Sequence, residues 1–228
     1  MTSLARTLKD AIDAWGQAQR GSPLMRLAHA GSLTPRAVAL YLTSLQELFV
    51  QSQLNLRLAH ERALSLGDAG FVEYFRTKVR EERGHEQWAA DDLQKLPAPV
   101  AQGLAPAPAI RRFAQLQREL LQRHPMCFMV YIVWAEYLTV LLGDEWLDAL
   151  AVCGHQREAL TAVSKHIEAD RAHAAHGFSA LDELWDGQPD VAELLACLAR
   201  AEQTFAEFCQ EICQEAMLDN NDMYAPGM

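Results

Sequence analysis

The sequence predicts an all-α fold on three observations: β-branched residues are sparse, Ala, Leu, Glu, Gln and Arg dominate, and apolar positions recur at intervals of three and four. At 228 residues and 50% hydrophobic content the chain can bury one sizeable helical core, so residues 1–228 are expected to form a single domain.

Taken in order, Leu4 to Gln19 reads as an amphipathic helix ended by Gly21. Ser22-Pro23 supplies an N-cap and a first-turn proline for a short helix to about Ala30, closed by Gly31. Thr34-Pro35 repeats that start signal, and the periodic pattern then runs to Leu66 before Gly67. Asp68 can cap the next helix, Ala69 to Leu96, which ends before Pro97. The Ala- and Pro-rich stretch Pro97 to Pro108 is long enough only for a crossover between helices. Ile110 to Gln122 predicts another helix. His124-Pro125 restarts the chain into an apolar helix through Leu142, with Gly143-Asp144 expected to break or kink it before a short helix to Val152. A helix from Gln156 to Leu184, the turn residues 187–190 and a last helix through Leu218 complete the chain, with a frayed Asn- and Asp-rich tail.

A formal net charge of −10 repels nucleic-acid phosphates and anionic membrane surfaces. The expected partner is therefore a small molecule, with no nucleic acid and no membrane. The start of the chain lacks a basic head followed by an apolar run, which predicts a cytoplasmic protein. Cysteines 127, 153, 197, 209 and 213 include no CxxC pair and are expected to be free thiols. The apolar run from Met126 to Leu142 is short for a membrane span and is interrupted by Glu136.

The chemistry-bearing residues lie on the predicted helices. His166, Asp170 and His173 fall at i, i+4 and i+7, within roughly 60° of one another on one face. Alone, that pattern reads first as the polar stripe of a solvated helix. Glu136 is the one charge in an apolar helix, and burial of a carboxylate is costly unless it is paired, protonated or bound to metal. His85 follows Glu82 by three and Glu81 by four, so either acid can share its face. Glu47 lies midway along the long third helix. Four helices thus offer a carboxylate at mid-length, two of them with a histidine three residues on. A dinuclear carboxylate site in a helical bundle uses that inventory.

The stretch Glu-Glu-Arg-Gly-His-Glu-Gln-Trp-Ala-Ala-Asp-Asp-Leu (81–93), the isolated Glu136, and His166-xxx-Asp170-xx-His173 resemble the haem-oxygenase-like di-iron oxidases and oxygenases, over about residues 22 to 180. The resemblance implies a haem-oxygenase-like bundle of about seven helices, two Fe(II) ions held by Glu47, Glu82, His85, Glu136, His166, Asp170 and His173, and O2 as co-substrate. It also suggests a homodimer. The implied activity is N-oxygenation or oxidative C–C cleavage of an amino-acid-derived or fatty-acid substrate. Relatives that carry another carboxylate seven residues before His85 differ from this chain, which has Lys78 there; Lys78 can pair with Glu82 or anchor a substrate carboxylate. The other readings are a non-catalytic iron-binding protein of this or a ferritin-like bundle, and a metal-free, thiaminase-type enzyme of the same fold.

Overall fold

The most apolar stretch of the chain becomes its central helix. The computed structural model describes residues 3–157 and 160–223, which form ten helices and no strand. They are α1 (Leu4–Gln19), α2 (Pro23–His29), α3 (Pro35–Leu66), α4 (Ala69–Glu81), α5 (His85–Lys95), α6 (Ala98–Ala101), α7 (Pro108–Arg123), α8 (Pro125–Val152), α9 (Thr161–Leu184) and α10 (Val191–Met223). Apart from α2 and the single turn α6, each has at least 11 residues. The start signals act as their chemistry dictates. Ser22 Oγ accepts from Met25 N at 3.3 Å, Thr34 Oγ1 from Ala37 N at 3.2 Å and Asp68 Oδ1 from Phe71 N at 3.1 Å.

Two expectations about glycine are corrected. The helix expected from Ala69 to Leu96 is two helices, because Gly84 adopts φ +88°, a left-handed conformation that ends α4 and starts α5. Conversely, no break occurs at Gly143-Asp144: α8 runs unbroken for 28 residues. Gly143 stays helical because it admits a neighbour, since a Cβ there would lie 2.5 Å from Ile167 Cγ1 on α9. Helix α9 begins at Thr161 rather than Gln156, and α10 continues past Leu218 to Met223. Of the expected frayed tail, residues 224–228 lie outside the described residues.

At its full length α8 is long and apolar enough to cross a membrane, but 72% of its most apolar window is buried inside the protein. It is a core helix, surrounded by α1, α2, α3, α7, α9 and α10. Trp134 at its centre packs edge-on against Trp15 and Phe205, and stacks with Phe113. Helix α9 lies along α8, brought close by Gly143 and by Gly177, where a Cβ would come within 2.7 Å of Val133 Cγ2. That approach sets the face carrying His166, Asp170 and His173 against Glu136.

Candidate metal centre

Helix α9 presents His166 and Asp170 to the interior, 8% and 3% exposed, with His173 half-buried beside them. The ends of α4 and α5 face them. Glu82 caps the C-terminus of α4, and its Oε2 lies 3.0 Å from His85 Nδ1 at the start of α5. Ligand atoms of Glu82, His85 and His166 lie within 4.8 Å of one another, as do those of Glu82, Asp170 and His173. Glu82 is common to both groups, so these five residues make one cluster.

His166 decides whether the cluster fits a cation. Its Nδ1 donates to Ala162 O at 2.6 Å, which leaves Nε2 as an unprotonated acceptor. That Nε2 is buried and has no hydrogen-bond partner among the described residues. A buried lone pair on a ring grouped with a carboxylate and a second imidazole is an unmet ligand position. Stacking holds both rings: Phe49 lies 4.5 Å from the His166 ring and Trp88 4.0 Å from that of His85. Burial pushes the His166 imidazolium below its ordinary value, against the attraction of Asp170 and Glu82. Burial raises the Glu82 carboxyl, but its bond to His85 and the neighbouring imidazoles outweigh that and hold it below the usual range. His173 is raised, chiefly by Asp170, whose Oδ1 lies 3.2 Å from its Nδ1. Nitrogen and oxygen donors without thiolate suit iron or manganese.

Glu136 sits in a different arrangement. Its Oε1 lies 2.7 Å from Lys78 Nζ, and the same ammonium lies 2.9 Å from Glu81 Oε2. Lys78 is 0% exposed, and Glu136 is 6% exposed. Burial opposes the Lys78 charge, yet the two carboxylates hold the ammonium above its ordinary value. Glu81, Glu136 and His173 form the remaining group whose ligand atoms lie within 4.8 Å. Of the residues singled out from sequence, Glu47 belongs to none of these groups; its Oε1 accepts from Gln51 Nε2 at 2.9 Å, along its own helix.

A cavity of about 240 Å3, partly open to solvent, lies beside the cluster. Glu82, Glu136, His166 and Asp170 line one end, and Leu45, Phe128, Ile132, Leu142 and Trp146 are among its apolar walls. Its polar lining includes Ser52, Gln117 and Tyr131, which hydrogen-bond to one another through Gln117 Nε2. Lys78 does not line it.

No protein-family model and no curated protein matches the chain. Solved structures do. A domain of unknown function with a heme oxygenase-like fold from Shewanella denitrificans OS217 superposes with a TM-score of 0.83 at 20% identity, covering 99% of this chain and 100% of that one. The fold is haem-oxygenase-like. A CADD-like protein of unknown function from Nostoc punctiforme PCC 73102 gives 0.69 at 16% identity, covering 93% and 98%. A heme oxygenase from Leptospira interrogans gives 0.56 at 16% identity, covering 93% and 100%. At such identities the likeness carries the haem-oxygenase-like fold alone.

Two participants carry no signal in the sequence, and a third takes another partner than expected. Glu81 was one of two alternatives for the partner of His85; it turns instead to Lys78, because the helix ends at Glu82. Phe49 and Trp88 appear as ordinary apolar residues, and their spacing gives no sign that each covers an imidazole.

Proposed function

We propose that this chain is an O2-dependent, non-haem iron oxidase or oxygenase acting on a small acid or amine metabolite, by N-oxygenation or oxidative C–C cleavage of an amino-acid-derived or fatty-acid substrate. One observation carries the reading: His166, whose buried Nε2 has no hydrogen-bond partner among the described residues, is grouped with Glu82 and His85 beside a largely apolar cavity. Of the two Fe(II) ions implied by the sequence resemblance, the cluster of Glu82, His85, His166, Asp170 and His173 has the donors for one. Iron held there would bind and activate O2, with the electrons beyond those of the iron coming from the substrate or an external reductant.

The chain's own residues do the rest. Phe49 and Trp88 fix the planes of the two imidazoles, so little ordering is left to occur when the site is used. The apolar walls keep water away from a reactive centre and receive the hydrocarbon part of a substrate. Ser52, Gln117 and Tyr131 offer a polar end-group a place to bind inside an otherwise apolar space. A passive iron carrier has no use for such a cavity. A metal-free hydrolase of this fold would need a nucleophile in it, and Cys209, which lines it, is pushed well above the usual thiol value by burial.

The test is iron retention and O2 uptake by the apoprotein loaded anaerobically with Fe(II). Wild-type chain is expected to keep iron through desalting and to consume O2. In His166→Ala both should fall about tenfold or more at unchanged helical content. A wild-type chain that keeps no iron refutes the proposal.

A further inference from the structure

We infer that this chain holds one metal ion rather than two, and that the ammonium of Lys78 takes the place of the second cation. The inference rests on the reading of the cluster as a metal centre and concerns how many ions it takes. Both halves hold buried acceptors without a hydrogen bond among the described residues, and they differ in whether a cation stands beside them. Around Glu82 and His85 the acceptor is the Nε2 of His166. Around Glu81 and Glu136 a cation is already in place: Lys78 Nζ lies 2.9 Å from one carboxylate and 2.7 Å from the other.

A second metal would have to displace that ammonium or share its space. Displacement has no outlet, because Lys78 is 0% exposed and its stem is packed into the core, with the Tyr74 ring 5.8 Å from Nζ. Removing an ammonium from both partners inside a protein leaves a buried unpaired charge. Sharing the space sets two cations against each other where screening is weak. The remaining donors are also too few. His173 belongs to both groups and serves one ion at a time, so the second half is left with two carboxylates already engaged by lysine. Glu47 contributes nothing while its carboxylate holds Gln51. The ammonium thus performs the electrostatic part of a second metal's role, keeping Glu136 tolerable in an apolar helix, without being able to change oxidation state.

The experiment is an anaerobic titration of the full chain with Mn(II), read by bound metal after desalting and by electron paramagnetic resonance. Wild type is expected to bind one equivalent with the six-line signal of an isolated Mn(II). Lys78→Glu, which replaces the ammonium by a ligand, is expected to bind two and show an exchange-coupled spectrum. Two coupled ions in wild type would overturn the inference and leave the iron-enzyme reading standing. A folded Lys78→Glu that still binds one would overturn the role given to the lysine. No binding by wild type would overturn both readings. If Lys78→Glu fails to fold, as its circular dichroism would reveal, the wild-type spectrum decides the count by itself.

Discussion

Asp92 is fully buried, although its neighbours Asp91 and Gln94 are exposed. Its Oδ2 accepts from Ala162 N at 2.6 Å, and its Oδ1 accepts from Thr161 Oγ1 at 2.6 Å and from Lys95 Nζ at 2.7 Å. A side chain of α5 thereby satisfies the first turn of α9, whose N-cap residue Leu160 offers no side-chain cap. The carbonyl of Ala162 in turn receives the His166 Nδ1 proton, so Asp92 positions an imidazole that it does not touch. Asp92→Ala is expected to cost about 2 kcal/mol in urea unfolding, because it leaves a buried N–H unpaired. It should also weaken metal retention about tenfold in a chelator competition, with Asp92→Asn recovering part of both. Nothing in the run from Glu86 to Asp92 announces this role: helical spacing shows which residues can share a face, not which face meets another helix. Lys78 teaches the same lesson. Sequence placed it beside Glu82, but its ion pairs are with Glu81 and Glu136, the latter on a helix 58 residues away in the chain.

Among the elements, the α8–α9 pair carries the site, and its separation is set where side chains are missing. A Cβ at Gly143 would stand 2.5 Å from Ile167 Cγ1 and 2.8 Å from Cδ1, and a β-branched residue on a helix has little freedom to turn away. Gly143→Ala gains about 1 kcal/mol of helix propensity but overpacks the contact, at about 1–3 kcal/mol. A net loss of about 1 kcal/mol is expected in urea unfolding. The loss should disappear, or become a gain, when the same change is made in an Ile167→Ala background, a coupling that a double-mutant cycle reads directly. Glycine is where reading the elements from sequence failed in both directions. Gly84 reads as helix interior and ends a helix; Gly143 reads as a break and lies inside a helix. A lone glycine carries no sign of whether its missing side chain serves backbone conformation or a neighbour's approach. Caps were legible because Ser22, Thr34 and Asp68 act within their own turn.

For the whole molecule, the helical class and the haem-oxygenase-like bundle are legible, since apolar periodicity and a buried acid constrain the fold strongly. Stability against pH is also a property of the whole chain, and His124 gives it a definite sign. Its Nδ1 accepts from Met126 N at 3.1 Å and caps the core helix α8, which requires a neutral ring. Burial holds its pKa below the ordinary 6.5. The unfolded chain therefore binds the proton more readily, so this stabilisation is complete above 6.5 and is lost as pH falls below it. His124→Asn keeps an acceptor that does not titrate. Between about pH 7.5 and pH 5 its Tm should fall less than that of wild type, and equal slopes would remove His124 from the account.

The break at Gly84 bears finally on how the molecule breathes. Because α4 and α5 do not form one rod, residues 85–95 can move without bending α4, and their buried side chains are His85, Ala89 and Asp92. Opening that segment costs its own contacts with α3 and α9, not the free energy of the core around α8. That segment carries both His85 and the carboxylate that seats α9, so an opening of α5 would undo two parts of the candidate site at once.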